Sequence, residues 1–388
     1  MSHAILSPSS AKRWINCPPS AKINAEAPQR DTVYTREGTL AHAVCELKAR
    51  KHFLTGIGPK KFKTLLDRFR ADELWQDEMD GYTDEYLDAL KEIAAQFDAP
   101  PHVALEVRVD FSEYVPEGYG TADCLMIGAE GGTTTLHVID FKYGKGVPVE
   151  AEENPQMMLY ALGAYLDYAP IYDIDLVKMT IVQPRIRSEP DSWELDANTL
   201  LAWANAVVEP AAKLAMQGQG DFKEGDWCRF CAIRGSCRAR ASANLEAAQM
   251  EFRLPPELSD DEVGEALTLG QRLKQWLSDL ETYALTACLE GRGIPGFKAV
   301  AGRSVRAWTD PEGAFSAARA AGIPDEMLYE RKPVTLAALE KIMGKKPFAE
   351  ALGEYITTPE GKPTVVPESD RRPAITGRTT AQEDFEEE

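Results

Sequence analysis

The segment 134–144 is an apolar, β-branched run that ends in Asp140-Phe141-Lys142 and turns at Gly144. Side chains two apart on a strand share a face, so the Asp140 carboxylate and the Lys142 ammonium project together from the strand end. That pairing suits metal-assisted hydrolysis. Asp140 would hold a divalent cation, while Lys142 orients or polarises an attacking water and offsets charge building on a phosphate. An Asp-x-Lys by itself also describes a solvated ion pair at a strand end.

Other residues bear on the choice. His42 and Glu46 fall one turn apart on a helix expected over 36–52, with Thr39 as its cap. A carboxylate so placed can orient an imidazole for metal contact. Asp123 lies at the head of the apolar run Cys124–Ile127, a costly place for a carboxylate unless something binds it. Gln156 and Tyr160 are one turn apart on a helix expected over 152–168, a spacing that equally makes a polar rim.

Cys228, Cys231 and Cys237 form C-x2-C-x5-C among aromatics and arginines. Thiolates gathered in this way bind zinc or an iron–sulfur cluster, and either needs a fourth ligand. Cys45 and Cys124 sit in helix and strand patterns where a buried thiol is the default, and Cys288 comes late in a long helical pattern. Cys17, beside Pro18-Pro19 and outside regular structure, is the best remaining choice. A zinc-finger transcription factor is disfavoured by the distance of Cys17 and the lack of a second C-x2-C pair.

These groups need a frame. Residues 1–30 read as irregular, and 62–98 as one or two amphipathic helices. Residues 102–111 read as a strand with Val103, Leu105, Val107, Val109 and Phe111 on one face and Glu106 on the other. Residues 118–128 and the Asp140 strand complete an antiparallel meander around Glu130-Gly131-Gly132. A helix, a strand over 173–183 and a helix over 196–217 follow. The order predicts an α/β fold, a central mixed β-sheet flanked by helices. Beyond residue 244 the character changes: a helix over 259–290, a hairpin through 303–308, helical pieces at 311–321 and 334–343, and an acidic, Pro-rich end. This divides the chain into 1–243 and a C-terminal α+β extension, 244–388. There is no internal repeat and no Gly-x-x-x-x-Gly-Lys phosphate loop, which excludes an ATP-driven motor.

With 388 residues, 44% hydrophobic, the chain can bury one large core or two smaller ones. A net charge of −19 predicts weak, salt-sensitive nonspecific affinity for nucleic acid, or a partner that supplies part of the grip. No segment resembles a signal peptide or a membrane span, so a cytoplasmic protein without a membrane partner is expected. Seven cysteines without an export signal argue for thiols and metal ligands over disulfides.

Taken together, the motifs resemble the RecB-type branch of the PD-(D/E)XK nucleases that carries an iron–sulfur cluster, as in CRISPR-associated exonucleases and helicase–nuclease complexes. Gly38-Thr39-Leu40-Ala41-His42 with Glu46, Gly120-Thr121-Ala122-Asp123, Asp140-Phe141-Lys142 and Gln156-x-x-x-Tyr160 arrive in that family's order, and Cys17 with Cys228, Cys231 and Cys237 matches its one-plus-three cysteines. The resemblance covers roughly residues 10–240, and the whole chain is similar to phage proteins of this size. It implies a restriction-endonuclease-like core. It also implies Mg²⁺ or Mn²⁺ held by His42, Asp123, Asp140 and the Phe141 carbonyl, and a catalytic set of Asp123, Asp140, Lys142, Gln156, Tyr160 and Glu46. The four cysteines would hold a [4Fe–4S] cluster, and Arg229, Arg234, Arg238 and Arg240 would line a DNA path. The implied activity is DNA exonuclease action on single- or double-stranded ends, in phage recombination or end processing. The alternative is a non-catalytic or partner-dependent DNA-binding scaffold that recruits a recombinase or single-strand annealing protein.

Overall fold

The computed structural model describes residues 4–28, 32–248, 259–301 and 310–320, and after these residues 323–324, 328–329, 336, 339, 343–352 and 355–356. Five strands make one sheet in the order β1-β2-β3-β4-β5: β1 (His102–Asp110), β2 (Tyr119–Glu130), β3 (Thr133–Phe141), β4 (Leu176–Val182) and β5 (Asp191–Asp196). β1, β2 and β3 form the antiparallel meander, with Gly131 and Gly132 supplying the positive φ of its β2–β3 turn. β3 and β4 are parallel, and the crossover between them is helix α6 (Pro155–Tyr168). The sheet is therefore mixed, as expected. β5, antiparallel to β4, is an addition to the expected strands.

Helices cover both faces. One layer holds α3 (Val33–Phe53), α4 (Pro59–Arg70) and α5 (Asp77–Ala94), whose Val44, Met79, Tyr86 and Leu90 pack on Cys124, Met126, Ile139 and Phe141. The other holds α6 with α7 (Ala197–Trp203) and α8 (Glu209–Gln217), packed on Leu125, Ile127, Leu136 and Val138. A π-helical stretch, Ala204–Val208, joins α7 to α8, where one unbroken helix is expected.

Two local expectations are corrected. Residues 1–30 are not irregular: α1 (Ala11–Asn16) and α2 (Ser20–Glu26) flank the Cys17-Pro18-Pro19 break, and Trp14 is fully buried in the α6-side core. Both are too short to show a helical period. The cap of α3 is Thr32, whose hydroxyl accepts from the Thr35 N–H; Thr39 lies inside the helix and bonds back to the Thr35 carbonyl.

Two compact units are present, one of residues 1–261 and 269–284, the other of 262–268 and 285–388. The first contains the sheet. After the sheet the chain continues with α9 (Arg238–Ala248) and most of α10 (Asp260–Leu289) in the first unit, and with α11 (Pro311–Ala320) and a helix at Lys345–Leu352 in the second. The hairpin expected through 303–308 and the 358–388 tail fall outside the described residues, as does most of 334–343.

Candidate active site

The site begins at a fault in the sheet. β1 pairs Leu105 with Cys124 and Val107 with Ala122, but Glu106 and Asp123, opposite each other between those pairs, are absent from the ladder. Glu106 adopts φ 48°, a left-handed backbone that is uncommon without glycine. The alternation of both strands inverts there. Val103 and Leu105 pack on the α3–α5 layer, whereas Val107, Val109 and Phe111 pack on the α6 layer. The expectation that these five residues share one face is therefore wrong, because the periodicity carries a phase jump at Glu106. On β2, Ala122 and Cys124 likewise belong to opposite layers. The β2–β3 ladder ends at Cys124–Ile139, and beyond it the Phe141 N–H donates to Asp123 Oδ2 at 2.8 Å.

His42 of α3 faces this opening. His42 Nδ1 lies 3.3 Å from Asp123 Oδ1, and its ring meets Phe141 edge-on at 5.4 Å. His42, Glu106 and Asp123 each offer one ligand atom within 4.8 Å of the others. Burial works against a charged His42, but the charge of Asp123 and the hydrogen bond to it outweigh this and lift the imidazole to about 9. Burial also opposes ionisation of Asp123, and there His42 and the Phe141 N–H win, leaving its carboxyl below the usual range. Glu106 is raised to about 7, first by burial and then by the charge of Asp123. Two acids and an imidazole crowded in this way offer nitrogen and oxygen donors of the kind that could hold a hard divalent cation.

Glu46 lines the same small cleft as His42, Glu106 and Asp123, but it does not orient the imidazole. Its carboxylate accepts from Arg50 Nε at 2.6 Å, and Arg50 Nη2 reaches the Leu105 carbonyl at 3.2 Å. Glu46 thus fixes an arginine that holds β1 beside the fault, and the partner given to His42 is Asp123.

Asp140 and Lys142 form an ion pair at 2.8 Å. Lys142 Nζ also donates to Gln156 Oε1 at 3.2 Å, and Gln156 Nε2 to the Tyr160 hydroxyl at 3.1 Å. The expected polar residues of α6 therefore form a chain ending on the lysine. Burial raises the Asp140 carboxyl and Asp123 adds to the rise, while Lys142 opposes it. Apart from the ion pair, the buried Asp140 Oδ2 has no hydrogen-bond partner. Such an oxygen fits a cation ligand. Asn154 caps α6 by accepting from the Gln156 and Met157 N–H groups, which sets the first turn and the direction of Gln156. Gly120, in the second motif, lets the Tyr160 ring come so close that an added Cβ would stand 2.7 Å from its Cε1.

The four cysteines Cys17, Cys228, Cys231 and Cys237 line a single small cavity. The N-terminal helices grip the cysteine segment through Lys12 to Asp226, Arg13 to the Phe230 carbonyl at 2.8 Å, and Asn24 Oδ1, which accepts from the Ala232 N–H at 2.9 Å. Two of the four arginines expected along a DNA path are otherwise engaged. Arg240, with 7% of its side chain exposed, and Arg234 both bind Asp279 of α10, at 2.6 and 3.0 Å. Arg229 stacks on Phe230 at 5.8 Å, and Arg238 is exposed.

The chain belongs to the DUF2800 family, described as proteins of unknown function, whose model matches residues 3–373. Among solved structures it is similar to SSO0001, with 13% identity over 59% of this chain and 96% of that one and a TM-score of 0.23. It is also similar to LHK-Exo in complex with dAMP, with 14% identity, coverage of 46% and 93%, and a TM-score of 0.23. A third is a protein from Eubacterium rectale described as an exonuclease, with 11% identity, coverage of 65% and 90%, and a TM-score of 0.31. Scores this low assign no function. Among the described residues, no helix is long and apolar enough to cross a membrane.

Proposed function

We propose that the chain is a metal-dependent deoxyribonuclease that hydrolyses phosphodiester bonds at DNA ends. The observation that carries this reading is the convergence at the sheet fault of His42, Glu106 and Asp123 with the Asp140–Lys142–Gln156–Tyr160 chain. His42, Asp123 and Asp140 would hold Mg²⁺ or Mn²⁺, with Glu106 and the Phe141 carbonyl completing the protein's share. When bound, that cation supplies a Lewis-acid contact to the phosphate and offsets its charge. Lys142, fixed between Asp140 and Gln156, orients the attacking water and faces the charge that grows on the phosphate. Tyr160 keeps Gln156 in register with the lysine.

The four-cysteine cavity suits a [4Fe–4S] cluster that joins the two ends of residues 1–243, closing a long loop and so restricting the unfolded chain. The net charge of −19 and the pairing of Arg234 and Arg240 with Asp279 favour one other reading, a DNA-binding scaffold that depends on a recombinase or annealing partner.

Digestion of end-labelled single- and double-stranded DNA with Mg²⁺, Mn²⁺ or chelator tests the proposal. Cleavage that needs the metal and disappears in Lys142→Ala is expected. Equal cleavage by parent and variant would mean the site is misassigned, and binding without cleavage by the parent would favour the scaffold.

A further inference from the structure

Two polar side chains of the N-terminal helices line the four-cysteine cavity, and neither contributes a ligand. Ser20, the first residue of α2, is 2% exposed, and its hydroxyl has no hydrogen-bond partner. Arg13 of α1 anchors one end of its guanidinium on the Phe230 carbonyl at 2.8 Å, but its buried Nε–H has no partner. A third donor already points at sulfur: Asn24 Nδ2 lies 3.7 Å from Cys231 Sγ.

Buried donors are ordinarily satisfied, because an unpaired one forfeits its bonds to water and gains nothing in return. Arg13 is half-buried, so its guanidinium also bears part of the cost of taking charge out of water. Both costs vanish if the cavity contains a group that is anionic and accepts hydrogen bonds through sulfur. Four thiolates around a [4Fe–4S]²⁺ core are dianionic, and reduction adds a further negative charge. Donors aimed at such a sulfur shell favour the reduced state.

We propose that Arg13 Nε and Ser20 Oγ, with Asn24 Nδ2, donate hydrogen bonds into the sulfur shell of the group bound by Cys17, Cys228, Cys231 and Cys237, and raise its reduction potential. This rests on the iron–sulfur reading of the cavity. The three donors come from a segment that also supplies one ligand, so α1 and α2 act as the half of the site that balances charge, while the 228–237 segment supplies most of the sulfur.

The test uses the full chain, reconstituted anaerobically with iron and sulfide, as parent, Ser20→Ala, Arg13→Met and Arg13→Lys. Iron and sulfide content and the broad visible thiolate-to-iron absorption report loading. A dye-mediated titration reports the midpoint potential, and circular dichroism reports the fold. Loaded Ser20→Ala and Arg13→Met should both shift to more negative potential, Arg13→Met further, with Arg13→Lys recovering part of the shift. Unchanged potentials in the loaded variants would overturn the proposal while leaving the cluster reading intact. A parent that takes up no iron and sulfide would overturn both. If Arg13→Met does not fold, Ser20→Ala and Arg13→Lys carry the measurement.

Discussion

Glu106 stands opposite Asp123 where the β1–β2 ladder is broken, and its backbone is left-handed at φ 48°. A non-glycine residue held there stores strain, of order 1–3 kcal/mol, that the surrounding structure must offset. Its carboxyl is raised to about 7 by burial and by Asp123, so the metal-free protein holds two acids in conflict.

Glu106→Gly should relieve both terms. The metal-free variant is expected to be more stable than the parent, by up to ~1 kcal/mol in urea unfolding, and to bind Mn²⁺ more weakly by calorimetry. A less stable variant with parental Mn²⁺ affinity would show that Glu106 is neither strained nor part of the cation's surroundings.

Along the Lys142–Gln156–Tyr160 chain, the effect of substitution should fall with distance from the phosphate. Lys142→Ala is expected to lose on the order of 100-fold or more in cleavage rate, as when a transition-state donor is removed. Gln156→Ala should lose less, and Tyr160→Phe least. A reversed order in single-turnover digestion would mean that α6 contacts DNA directly rather than serving the lysine.

His137 provides a pH prediction remote from the cleft. Its Nε2 shares a 2.7 Å hydrogen bond with Thr180 Oγ1, and burial, aided by Lys178, pushes its pKa from 6.5 down to about 3. The unfolded chain therefore binds a proton between those values that the folded chain refuses. Stability from this residue is complete above pH 6.5 and falls as pH drops toward 3, with a slope of up to ~1.4 kcal/mol per pH unit. Unfolding of His137→Gln should show a shallower decline over that window. An identical pH dependence would place the acid sensitivity elsewhere.

Asp279 is 8% exposed in its side chain and is shared by Arg234 and Arg240. Asp279→Ala strands the buried Arg240 and should cost about 3–5 kcal/mol. Arg234→Ala removes a partner that is 40% exposed and should cost much less. Thermal melts of the two variants decide this, and equal losses would contradict it.

Gly120→Ala would place a methyl 2.7 Å from Tyr160 Cε1 and 2.8 Å from Pro8 Cγ. Overpacking of this kind costs about 1–3 kcal/mol. The displaced Tyr160 should also slow cleavage, so both melting temperature and rate should drop. A drop in melting temperature alone would separate the ring from the chemistry.

The sequence carries much of this arrangement, because hydrophobic period and motif order are local properties. The meander, the crossover helix, the mixed sheet and the Asp-x-Lys strand end are readable from residues 102–183. In the sequence Glu106 reads only as the far face of its strand, since five apolar residues at even spacing hide a phase jump that only cross-strand pairing reveals. Glu46 lies one turn from His42 and so suggests itself as its partner, yet Arg50 is also one turn away and takes its carboxylate. β5 escaped because Asp191-Ser192-Trp193-Glu194 looks like a turn until β4 pairs with it. The donors Arg13 and Ser20 gave no signal at all, because their meaning depends on residues more than two hundred positions further along.

That separation sets an order of events during synthesis. β1 through β5 and both helical layers precede Cys228 in the chain and leave the ribosome ahead of it, so Cys17 emerges long before the other three cysteines. The cavity cannot close until its last cysteine, Cys237, emerges. A chain cut short between β5 and Cys228 would retain the carboxylates and the lysine but lack the clasp around its first twenty residues.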